Sequence, residues 1–185
     1  MFPEKHVKEM ERLESRKSFR RKIFASAVFL GSVFVIGPVI HELSHMVVLE
    51  AIDCKYVLEW GLNINGIHGS VRPVCVPTTS QLATFYSIGY LSTIMSGGYL
   101  SFVTLRNHNV SSLKMTGYTA LGTGLLVSTA INLSTTGDIT NLGEILEIST
   151  VNIQFFTTGL FLAISATVVR TLQISWSQQS EGEET

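Results

Sequence analysis

His41, Glu42 and His45 are the residues whose types and spacing could do chemistry, in the run His41-Glu42-Leu43-Ser44-His45. On a helix, residues four apart share a face, so both imidazoles can hold one ion. Two histidines at that spacing, with a glutamate after the first, fit H-E-x-x-H, the pattern of a tetrahedral zinc with a carboxylate beside it. Zinc lowers the pKa of a bound water to about 7. Glu42 is then the expected catalytic base, taking a proton from that water and passing it to the leaving nitrogen of a peptide. The expected cofactor is one catalytic Zn2+. The competing reading is a chance pentapeptide on a polar helix. The setting argues against it, because ionisable groups at the end of an apolar stretch are costly without a partner such as a metal. Pro38 precedes His41 by three residues and can kink the helix to admit water.

Catalytic zinc usually takes three protein ligands. The acidic candidates outside the motif are Glu50, Asp53, Glu59, Asp138, Glu144 and Glu147. Asp138 is the best choice, since a helix breaks at Gly137 and the backbone there can fold back. Its alternative role is to cap a short helix beginning at Ile139. His68 could approach from a hairpin but reads more simply as exposed. His6 and His108 fall on the opposite side of the elements described next.

Those elements are long and apolar. The 185 residues are 45% hydrophobic and only 15% charged, against a usual charged share of about 25%. Four uncharged stretches, Ile23 to Ile40, Leu82 to Leu105, Met115 to Leu133 and Val151 to Val169, each have about the 18 residues that cross a bilayer core. The third is rich in Thr, Ser and Gly, which a helix buried among others tolerates. Gly117, Gly122 and Gly124 there offer close helix contacts. The expected fold is an all-α integral membrane protein with four transmembrane helices and a β-hairpin between the first and second. Residues 1–22 form a polar arm that reads as a surface helix on anionic lipid or as a topology signal. Residues 23–172 form the membrane-embedded domain, and 173–185 an acidic disordered tail.

Charge sets the expected orientation. Eight of the 13 Lys and Arg lie between Lys5 and Lys22, and Arg106, Lys114 and Arg170 fall on the same side. The opposite side has only Lys55 and Arg72. A multi-pass protein of the cell membrane is expected, with both termini cytoplasmic and His41 and His45 toward the outer half. The net charge of -1 provides no basic footprint for nucleic acid.

From Tyr56 to Ile64 the apolar residues alternate at strand period. Asn65-Gly66 follows as a hairpin signal, and Ile67 to Arg72 can return. Cys54 and Cys75 flank this hairpin almost symmetrically. They either close it as a disulfide or remain two buried thiols. The reading leans to free thiols, because symmetry in sequence does not establish the Cα distance a bridge needs.

Four spans, HELSH at the end of the first, a hairpin just after it and an Asn…Asp segment after a later span together resemble the site-2 protease group of intramembrane metalloproteases. The resemblance covers roughly residues 23–145. It implies that Asp138 is the third zinc ligand and that the hairpin presents a strand edge to the substrate. It also implies that Asn132 hydrogen-bonds substrate backbone or the oxyanion. The alternative for Asn132 is a buried amide satisfying a helix neighbour, and Asn141 poses the same choice more weakly. The chain departs from the group's Asn-x-x-Pro…Leu-Asp-Gly pattern. It has no proline there, and Gly137-Asp138-Ile139 replaces Leu-Asp-Gly. Many members of the group hold the site nearer the cytoplasm, whereas charge here places it outward.

The expected activity is hydrolysis of peptide bonds in or near a substrate's transmembrane segment. The partners are then a membrane protein or peptide substrate and the lipid bilayer, with homo-oligomer formation compatible with the small residues of the later spans. A zinc-binding but non-proteolytic regulator or chaperone-like protein would use the same ligands. A transporter fits worst, since one such cluster without charges in the other spans makes a poor relay.

Overall fold

A computed structural model of the chain describes residues 4–63, 66–106, 112–135 and 137–181. Helix α1 spans Glu4–Gly31 and passes through a π turn, Ser32–Ile36, into α2, Gly37–Ala51. Strands β1 (Tyr56–Asn63) and β2 (Gly66–Pro73) form an antiparallel hairpin. Helices α3 (Thr79–Arg106), α4 (Ser112–Thr135), α5 (Asp138–Ile145) and α6 (Thr150–Glu181) follow. The fold is therefore mostly helical, with one small sheet between the first long helix and α3.

Helix α4 is the hub, packing against α1, α3 and α6. Its polar residues serve that role. Thr119 donates to the Met115 carbonyl (3.0 Å) and Thr123 to that of Thr119 (2.6 Å), so these hydroxyls are satisfied within the helix. Thr129 donates across to Thr93 of α3 (2.8 Å). Gly97 and Gly122 let α3 and α4 approach until a Cβ on Gly97 would stand 3.0 Å from the Gly122 carbonyl. Small residues at the contact thus let the two backbones approach closely.

Two stretches, Arg12–Ala51 and Val151–Gln173, are long and apolar enough to cross a membrane. The sequence suggested four. Helices α3 and α4 coincide with the other two expected spans, but their Ser, Thr and Gly lower their apolarity. Of these, Thr93, Gly97, Gly122 and Thr129 take part in the α3–α4 contact.

The polar arm, described from Glu4, is helical and continues without a break into the first apolar stretch as α1. Two further expectations need correction. The tail is not disordered from residue 173, because α6 continues to Glu181; residues 182–185 lie outside the described residues. No proline or glycine interrupts α6 between Gln173 and Glu181. Cys54 and Cys75 are joined by a disulfide, with Cα atoms 5.5 Å apart. The hairpin's register, Tyr56 opposite Pro73, brings the residues just outside it together. Gly66 pairs with Asn63 and so begins β2; Ile64 and Asn65, half of the expected Asn-Gly turn, lie outside the described residues.

Candidate metal centre

The π turn and α2 present the motif. The Gly37 N–H donates to the Ser32 carbonyl, five residues back, which widens the turn just ahead of Pro38. Pro38 has no N–H to offer, so the wide turn absorbs the missing bond. Gly37 sits against Ser128 of α4, where a Cβ would collide with the hydroxyl. Beyond it, His41 and His45 point into the protein, each only 3% exposed. Ser44 donates to Ser92 of α3 (2.7 Å), which donates in turn to the Gly89 carbonyl (2.9 Å). This chain of hydroxyls ties α2 to α3.

Helix α5 brings Asp138 to the two imidazoles. His41 Nε2 and Asp138 Oδ2 are 3.1 Å apart, His45 Nε2 and Asp138 Oδ2 3.3 Å, and the two Nε2 atoms 3.1 Å. A tetrahedral zinc with bonds of about 2.0–2.1 Å holds its ligand atoms about 3.3 Å apart. The triangle therefore has the edges such an ion needs, and the donor set of two imidazoles and a carboxylate suits it. With no ion between them, burial would raise the Asp138 carboxyl, but the hydrogen bonds of His41 and His45 outweigh it and hold the group at about 2. Asp138 is the first residue of α5 and makes no capping bond; Gly137 occupies the cap position.

The rings are aimed by packing. Both Nδ1 atoms are buried and have no hydrogen-bond partner among the described residues, whereas metal-bound histidines usually donate that N–H to a second group. Instead His41 meets Tyr90 edge-on (5.1 Å between centroids) and His45 lies on Phe85 (4.4 Å). A Cβ at Gly89 would land on the His41 ring. Nothing in the motif signals these residues, although Phe85, Gly89 and Tyr90 recur at helical spacing in α3.

A cavity of about 290 Å3 opens beside the triangle, lined by Glu42, by Gly69–Pro73 of β2, and by Tyr86 and Asn141. Gly69 passes so close to Glu42 that a side chain there would collide with it, and the Val71 backbone amide is within hydrogen-bonding reach of the carboxylate. The Tyr86 hydroxyl hydrogen-bonds the Asn141 side chain. Asn132, the expected substrate contact, is not among the lining residues; Asn141, one turn into α5, is.

The other acidic candidates have separate roles. Asp53 and Glu147 adopt positive φ (53° and 54°) just past the ends of α2 and α5. There Cys54 N–H bonds the Leu49 carbonyl and Ile148 N–H that of Gly143, a helix-stopping arrangement. Glu50 accepts from the Tyr56 hydroxyl (3.1 Å), and Glu59 pairs with Arg72 (3.7 Å). Glu144 is exposed on α5, and His68 lies over Gly61 on the hairpin. His108 lies outside the described residues.

Compared with known proteins, the chain matches no family model, no curated protein and no solved structure.

Proposed function

We propose that this chain is an integral membrane zinc endopeptidase of the site-2 protease kind, cutting peptide bonds in or near transmembrane segments of its substrates. The observation that carries this reading is the triangle of His41, His45 and Asp138, with edges of 3.1, 3.1 and 3.3 Å, next to Glu42 on a shared cavity. When bound there, zinc would polarise the scissile carbonyl and make water acidic enough to deprotonate near neutral pH. Glu42 takes that proton and returns it to the leaving nitrogen. The outer edge of β2 is unpaired in the two-stranded sheet and borders the cavity, where an extended substrate segment can add as a further strand. Tyr86 and Asn141 offer donors to its carbonyls from the opposite wall, the role the sequence suggested for Asn132.

In this reading all four long helices cross the membrane. Supporting it, α3 exposes Leu91, Met95, Tyr99 and Phe102, and α6 exposes Phe155, Phe156, Phe161 and Leu162, a coat suited to lipid and not to water. Both termini lie in the cytoplasm and the metal site toward the outer half. His41 follows Lys22 by about 28 Å of helix at 1.5 Å per residue, nearly the full hydrocarbon thickness of about 30 Å.

One observation favours a second reading, a zinc-binding regulator without proteolysis. Strand β2 covers Glu42 at Gly69 and Val71, so the base is occupied unless the hairpin moves. Metal analysis and a cleavage assay on a reconstituted transmembrane peptide separate the readings. The peptidase holds one zinc per chain and cleaves, and Glu42→Gln keeps the zinc while cleavage stops. One zinc with no turnover of membrane substrates favours the regulator, and wild-type protein without zinc overturns both.

A further inference from the structure

A second cavity lies toward the opposite end of α1 and α4 from the metal centre. Helices α1 and α6 pack mainly against α4 and little against each other. Between them runs a groove of about 460 Å3 floored by α4. Arg21 and Lys22 line it at the end of α1 nearer the N-terminus, Phe29, Leu30, Ala120 and Leu172 line it as well, and no Asp or Glu borders it. The α4 hydroxyls in the floor are turned to their own backbone, so the interior is effectively apolar. Lys114 and Arg170 lie within one turn of the lining residues Thr116 and Leu172, and neither Arg21 nor Lys22 takes part in an ion pair among the described residues.

We propose that this groove is a binding site for one anionic phospholipid of the cytoplasmic leaflet, its phosphate held by Arg21 and Lys22 and an acyl chain laid between α1 and α6. The length of the groove suits an acyl chain of one leaflet. From Lys22 to Leu30 the groove is about 12 Å deep at 1.5 Å per residue, close to one leaflet's half of a roughly 30 Å core. Charge decides for an anionic headgroup, because basic pockets between helices on the cytoplasmic side attract acidic lipids. The site rests on the membrane reading above but not on proteolysis.

The test is native mass spectrometry of the full chain in detergent, titrated with phosphatidylglycerol or with phosphatidylcholine of the same acyl chains. The expected result is at least a tenfold preference for phosphatidylglycerol. Arg21→Gln/Lys22→Gln reduces it to within twofold, while Arg16→Gln/Lys17→Gln, farther out on the arm, keeps it. Ser26→Phe, which fills the groove from an exposed position, weakens both lipids. Glycerophosphate, a headgroup without chains, competes poorly. Equal affinities, or equal loss in the two basic double variants, overturn the site in favour of general attraction to the arm. Strong competition by glycerophosphate overturns the lipid in favour of a free phosphate. Efficient cross-linking of Ala25→Cys between copies, with no lipid preference, overturns it in favour of a second copy. Failure of the protein to insert into bilayers of any composition sinks the membrane reading itself, whereas insertion without headgroup preference sinks only the groove.

Discussion

Gly89 of α3 lies flat against the imidazole of His41, with no room between them for a methyl group. Since His41 Nδ1 has no hydrogen-bond partner among the described residues, this contact and Tyr90 hold the ring's direction together with the approach of Nε2 to Asp138 and His45. Gly89→Ala is expected to turn the ring and loosen the metal triangle. Zinc affinity should fall about tenfold or more, in the range of lost orienting contacts, with about 1–3 kcal/mol of overpacking cost. Gly98→Ala, which meets nothing within 4 Å, is the control. Unchanged zinc affinity in Gly89→Ala would show that His41 is oriented by something else.

Asp138 closes the triangle from a different helix. Asp138→Asn keeps its size but removes the anionic ligand. A change beyond the ligands typically costs 10–100-fold in affinity, so loss of a ligand is expected to exceed about 100-fold. Competition with a zinc chelator measures this. Retention of wild-type affinity would assign Asp138 a purely structural role at the start of α5.

The Cys54–Cys75 bridge closes a loop with a sequence separation of 21. Loop-closure entropy puts its contribution at about 3 kcal/mol. Replacing both cysteines by alanine should lower unfolding stability by about that much and make the hairpin more accessible to protease. Because β2 covers Glu42, cleavage of substrate is expected to change more than zinc content does. A double variant as stable and as protease-resistant as the wild type would contradict this.

Orientation can be read directly. Cysteines placed at Arg106 and at Thr140 should be labelled from opposite sides of sealed vesicles by an impermeant maleimide. Labelling of both from one side would remove at least one of the proposed crossings.

Much of this was legible in the sequence, and for identifiable reasons. HELSH at a helical spacing needs no tertiary information, and the alternation from Tyr56 onward marks β1 directly. Asp138 was found because Gly137 announces a break close to an acidic residue. Other features depend on partners that a linear reading does not contain. The disulfide follows from a register that places Tyr56 opposite Pro73, not from the symmetry of the cysteines. Asn141 lines the cavity because α5 turns its first residues toward α2. Asn132, six residues before Asp138 in sequence, still belongs to α4 and is not among the lining residues. The hydroxyls that lower the apolarity of α3 and α4 are spent mostly on their own backbone and on neighbouring helices, which only the packed fold reveals.

The π turn at Ser32–Ile36 carries one more consequence. Such a turn is an α-helix holding one surplus residue, and each residue of an α-helix advances the face by about 100°. Deleting Val35 would let the chain relax into uninterrupted α-helix, and the two halves would fall out of phase. Either α1 keeps its seat on α4 and the histidines swing away from Asp138, or the histidines stay and α1 leaves α4. A single residue thus acts as the phase-setter between the half of one long rod that packs on α4 and the half that carries the histidines.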